Sequence, residues 1–124
     1  DRGIVMDPTH VLDVKAFQTK FYGGLIHKRN VVAWNYQVLK TDYLVAVQSD
    51  TLTSSVTLTL PAASSLINGQ TFSFKDEGGN ANNRNIEIAA AGSDTIDGQS
   101  SIILESPYAA VNIYTNGVSK YFIQ

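Results

Sequence analysis

The side chains whose types and spacing come nearest to a reaction are Asp76, Glu77, Asp94 and Asp97. Two carboxyls held several Å apart across a sugar cleft are the apparatus of glycoside hydrolysis. The local context of these four points elsewhere. Asp76 lies just before Gly78-Gly79 and Asp97 just before Gly98. Asp in that position builds a turn, because its side chain bonds nearby backbone N–H groups and tolerates tight backbone geometry. No Gly-x-Ser-x-Gly elbow and no motif-supported Ser, His and Asp set supplies a nucleophile and its base. The expectation is a protein that is not an enzyme.

Binding chemistry has more material. Asp76 with Asn80, Asn82, Asn83 and Asn85 offers oxygen ligands of the kind Ca²⁺ takes. The spacing is not that of an EF-hand loop, and a hydrogen-bonded Asn/Gly turn accounts for the same residues. His10 and His27 are far apart and have no Cys partner, whereas zinc needs three or four convergent ligands. No metal or other cofactor is expected. Trp34, Tyr36, Tyr43, Tyr108, Tyr114 and Tyr121 are possible platforms for the C–H face of a pyranose, although no lectin signature accompanies them. Aromatics on strands mostly fill cores and subunit interfaces. Trp34 alternates with Val32 and Val38, which assigns it to core or interface. Tyr108 follows Ser106-Pro107, a turn, and is the better candidate for exposure. The binding residues expected from sequence are therefore Asn80, Asn82, Asn83 and Arg84, in the stretch 78–84, and Tyr108, in the stretch 106–108.

The elements that must position these residues are strands. Val32, Trp34, Tyr36 and Val38 alternate with Ala33, Asn35 and Gln37, and Val56, Leu58 and Leu60 alternate with Thr57 and Thr59. Phe72 and Phe74 flank Ser73, Ile86 and Ile88 flank Glu87, and Val111 and Ile113 flank Asn112. Alternation of β-branched and aromatic residues with polar ones indicates strands with one face buried. Turns are marked at residues 49–51, at Asn68-Gly69 and at Gly78-Gly79-Asn80. Asp97-Gly98 and Asn116-Gly117 read as tight hairpin turns, since those dipeptides accept positive φ. A single helical turn is expected after Pro61. Strands at this spacing predict an all-β fold, an antiparallel β-sandwich of roughly eight to ten strands.

Composition narrows the partners. The chain has 124 residues, enough for one domain with an N-terminal extension. Only 16% of residues are charged, against about 25% in typical globular chains, so Ser, Thr, Asn and Gln must cover the surface. A net charge of −2 gives no basic footprint for nucleic acid. There are no cysteines, which excludes disulfides and leaves oligomerisation as the obvious stabiliser of an exported chain. No apolar run reaches the length of a membrane-spanning helix, so no membrane insertion is expected. No signal-peptide pattern is read in these residues, and a start at Asp1 leads us to expect a piece of something longer. Residues 1–29 read differently from the rest: Val11, Leu12, Val14 and Phe17 are too few to form a core. The segment packs either on the sandwich or on copies of itself.

Five motifs in order carry a family resemblance over residues 30–124. NYQVLKTDYLVAV (35–47) resembles an opening N-Y-x-V-x-x-x-D-Y hairpin, and VTLTLP (56–61) is similar to a V-T-x-T-L-P strand. FKDEGGNA (74–81) resembles I-K-D-x-x-G-N-A, DTIDG (94–98) matches D-T-I-D-G, and VNIYTNG (111–117) resembles V-x-L-Y-S-D-G. Tyr121 stands where Trp is frequent. Together these resemble the C-terminal tip domain of bacteriophage-type trimeric tail fibres, a family that also occurs in phage-derived fibres of bacteria. The resemblance implies a jelly-roll-like tip (30–124) on a short stalk segment (1–29), assembled as a homotrimer. It implies an extracellular location, at a fibre tip on a virion or a bacterial cell surface. It also implies receptor binding, with a cell-surface glycan or other envelope component as partner. The alternatives are a trimerisation or folding cap that binds nothing, and a polysaccharide-degrading tip.

Overall fold

The alternating stretches form ten strands in the computed structural model, which describes residues 3–7 and 9–124. They are β1 (Arg29–Val32), β2 (Tyr36–Gln37), β3 (Leu44–Val47), β4 (Val56–Thr59) and β5 (Thr71–Asp76). The rest are β6 (Ile86–Ala89), β7 (Thr95–Ile96), β8 (Ser101–Leu104), β9 (Ala110–Thr115) and β10 (Lys120–Ile123). Short 3-10 turns at Ser49–Thr51 and Ala63–Ser65 are the helical elements among the described residues. The second is the turn expected after Pro61. No helix there is long and apolar enough to cross a membrane.

The strands form two sheets, ordered β1-β3-β5-β9-β10-β7 and β2-β4-β6-β8. Both are mixed, which corrects the expected antiparallel arrangement. β1, β3 and β5 run parallel to one another, as do β2, β4 and β6. Up to β9 each strand passes to the other sheet, and from β1 to β6 the chain returns to a given sheet in its original direction. Antiparallel pairing between strands enters through β8, β9 and β10. Period-two burial is the same for both pairings; it reports which face is buried and not the direction of the neighbour.

The inward residues of both sheets form one core. Val45, Val47, Phe72, Phe74, Ile113 and Tyr121 come from the larger sheet, and Val56, Leu58, Ile86, Ile88 and Leu104 from the smaller. Burying each of the larger apolar side chains is worth about 1.5–3 kcal/mol. Tyr121 is fully buried, and its hydroxyl donates to Pro61 O at 2.5 Å. A buried Tyr needs such an acceptor, and burial beside Asp94 raises its pKa.

Turn chemistry follows the sequence closely. Asp97 (φ 48°) and Gly98 (φ 80°) close a two-residue hairpin between Ile96 and Gln99, the geometry that a primed turn demands. The Asn116-Gly117 hairpin is longer than expected. β9 and β10 are joined by residues 116–119, and Asn116 Oδ1 accepts the N–H groups of Val118, Ser119 and Lys120.

Topology defines two poles. β1, β3 and β5 end, and β2, β4 and β6 begin, at the same pole, so residues 33–35, 48–55 and 77–85 all lie there. Residues 105–109 join them, because Leu104 pairs with Ile86 and Ala110 with Lys75. The chain enters β1 at the opposite pole. Of the expected stalk segment 1–29, positions 1, 2 and 8 lie outside the described residues. The described remainder before Arg29 contains no strand or helix, and Phe17, Tyr22 and Ile26 are almost wholly exposed.

Candidate functional site

The loop pole is organised by one carboxylate. Alternation along β5 turns Phe72, Phe74 and Asp76 inward, so a charged group ends up fully buried. A buried charge persists only when it is hydrogen-bonded. Asp76 Oδ1 accepts from Ser49 Oγ and from the Gly79 N–H at 3.1 Å. Its Oδ2 accepts the N–H groups of Ala81 and Tyr108, each at 3.0 Å. Burial alone would raise its pKa, but these four donors outweigh burial and hold it below the ordinary carboxylate value. Asp76 thereby ties together the 49–51 turn, the 78–81 turn and the loop carrying Tyr108.

The structure therefore brings the two expected binding stretches side by side. Tyr108 has φ 62° and is 59% exposed. Its ring lies against Gly79, where an added Cβ would sit 2.6 Å from Tyr108 Cε2. Lys75 Nζ donates to Tyr108 O at 2.5 Å and stands 5.8 Å from the ring centroid.

The asparagines divide into two groups. Asn80 is half-buried; its N–H donates to Ser49 Oγ and its side chain to Ser49 O. Asn83 Nδ2 donates to Asn80 Oδ1 at 2.8 Å. Arg84, also half-buried, donates from Nε to Leu52 O and from Nη1 to Asn83 O. These three hold the loop in shape, so the expected set of free donors and acceptors is smaller than the sequence implied. Asn82 is exposed, and its side chain makes no hydrogen bond among the described residues. Asn82 and Tyr108 are the open members.

The acidic residues are dispersed and engaged. β5 and β7 are separated by β9 and β10, three strand spacings or about 14 Å, which exceeds the carboxyl separation of glycosidases. Asp94 Oδ2 accepts the Ala63 N–H and Asp97 Oδ1 the Ile123 N–H. Glu77 pairs with Arg29, which lowers its pKa, and also accepts from Gln48. Asp76 spends both oxygens on N–H and O–H donors, an environment built for a buried anion rather than for a cation ligand. His27 stacks on Tyr43 with ring centroids 4.1 Å apart.

Trp34 is not in the core, one of the two places expected for it. Val32 and Val38 are buried, but Trp34 is 61% exposed. β1 stops at Val32 and β2 starts at Tyr36, so Trp34 sits in the connecting loop and not in the core. It lines a cleft of about 270 Å³ with Asn35, Thr51, Thr53 and Ser54. Sequence reasoning missed this group because a loop of three residues preserves the parity of the flanking strands. A larger recess, about 700 Å³, lies at the opposite pole between residues 9–11 and 67–70.

No family model and no curated protein sequence matches the chain.

Proposed function

We propose that this chain is the receptor-binding tip of a trimeric fibre, a β-sandwich that recognises a cell-surface carbohydrate or other envelope component without changing it covalently. The observation that carries the reading is the loop pole. Four connections converge there, away from the N-terminal segment, and they present two exposed aromatics, Trp34 and Tyr108, together with neutral polar side chains such as Asn35, Thr53, Ser54 and Asn82. Loops on a rigid scaffold are where recognition is placed. Asp76 provides the rigidity, because a loop already ordered loses less entropy on binding. Asp76, Glu77, Asp94 and Asp97 each hold structural hydrogen bonds, which supports binding over hydrolysis.

A second reading, a trimerisation or folding cap, draws on the exposed apolar residues between Ile4 and Ile26. Both readings share the trimer and differ in whether the loop pole is used. The test is a glycan array and a panel of intact bacterial cells probed with labelled protein. Binding that is weakened by Asn82→Ala or Tyr108→Ala in folded protein supports the tip. Absence of binding to every glycan and cell favours the cap.

A further inference from the structure

We infer that the cleft walled by Trp34 and Asn35, with Thr51, Thr53 and Ser54, is a subsite for one neutral pyranose unit. The inference rests on the receptor-binding reading and assigns that reading a ligand class and a place. An indole left largely exposed in a loop forgoes the stabilisation that burial would bring. Its face is apolar, and its Nε1–H has no acceptor among the described residues. One wall can therefore meet the C–H face of a sugar and also donate a hydrogen bond.

The other groups complete a sugar-type environment. Asn35 Oδ1 accepts the Thr57 N–H at 2.8 Å. That bond fixes the amide plane and leaves both Nδ2 hydrogens free to donate. Thr53 and Ser54 are exposed, and their hydroxyls have no partner among the described residues. No residue lining the cleft is charged, so the site offers nothing to neutralise a phosphate, sulfate or carboxylate. Its volume, about 270 Å³, falls just below the ~300 Å³ at which drug-sized pockets begin, which suits a single ring.

The cleft is also held in place. The Thr51 N–H donates to Gln48 O and the Leu52 N–H to Ser49 O. Arg84 Nε bonds Leu52 O, and Ser55 Oγ accepts the Asn85 N–H. The cleft wall and the 80–85 loop are thus one bonded unit, and Ser49 joins both to Asp76.

Trp34 is the only tryptophan in the chain, so its fluorescence reports on this site alone. The assembled protein is titrated with methyl glycosides of glucose, galactose, mannose and N-acetylglucosamine. Acrylamide quenching is measured on the sugar-free protein. The expected result is an indole accessible to acrylamide and a saturable emission shift for at least one glycoside, with a dissociation constant of roughly millimolar size. Asn35→Asp keeps the acceptor for the Thr57 N–H and removes the two donors; it should weaken that titration roughly tenfold. An indole shielded from acrylamide overturns the subsite, because a neighbouring subunit then covers it. Accessible indole with no shift for any glycoside, in protein that still binds cells, overturns the subsite and leaves receptor binding standing. Absence of both sugar response and cell binding overturns the two together.

Discussion

Asp76 receives four hydrogen bonds from four separate backbone positions or side chains, and this makes it the residue on which the loop pole depends. Asp76→Asn keeps the shape but turns an NH₂ toward N–H donors that need an acceptor. The expected loss is about 3 kcal/mol of stability, read from urea unfolding. The pH dependence has a definite sign. The folded pKa lies below the ordinary 3.8, so the contribution is complete above pH 3.8 and disappears as pH falls through the folded value. Below that range the parent and the Asn variant should converge in urea midpoint. Tyr36 gives the opposite limb. Burial, and then its hydrogen bond to Asp42, push its pKa up from 10.0 to about 12. Its proton stabilises the fold fully below pH 10, and the benefit fades as pH rises toward 12. Tyr36→Phe should flatten part of that alkaline decline in the urea midpoint.

Elements were legible where a local rule decides them. The alternation at residues 56–59, 71–76 and 86–89 named the buried side chains correctly, because one residue of slip would invert the whole face. Asp97-Gly98 named its own turn. Strand direction was not legible, since parallel and antiparallel neighbours bury the same residues. A core position for Trp34 was wrongly suggested because β1 and β2 are separated by an odd number of loop residues, so parity continued where the strand did not. The two binding stretches were chosen from sequence as separate loops; the Asp76 inward turn that joins them is a tertiary fact. Gly79 tests that junction. Its φ is +73°, and its missing Cβ is the space that the Tyr108 ring occupies. Gly79→Ala should cost about 1–2 kcal/mol from the left-handed backbone alone. It should also displace the Tyr108 ring, seen as altered Tyr108 aromatic shifts by NMR. Unchanged shifts would show that the ring does not lean on this turn.

At the scale of the whole molecule, the described residues before Arg29 carry apolar side chains that one chain leaves in solvent. Val5 is 92% exposed, Phe17 97%, Tyr22 93% and Ile26 99%, although the core from Val32 onward is closed without them. Scattered exposed apolar residues need no explanation, but on the fibre reading proposed above this run would be covered in the assembly. Copies of the same segment are the partner that the fibre reading supplies, and closed symmetry then limits the assembly. Three loop poles held together would also let weak sites act jointly, since tethering raises effective concentration. The expected mass by light scattering at micromolar protein is three times the 13.5 kDa of the chain. Removing residues 1–28 should yield a monomer that keeps its β circular-dichroism spectrum, because the core contains none of them. Binding to a sugar-bearing surface should then fall steeply, while the Trp34 titration with free glycosides stays unchanged. A full chain that runs as a monomer would remove the fibre reading, and a truncated chain that remains trimeric would move the contact from the N-terminal segment to the sheets.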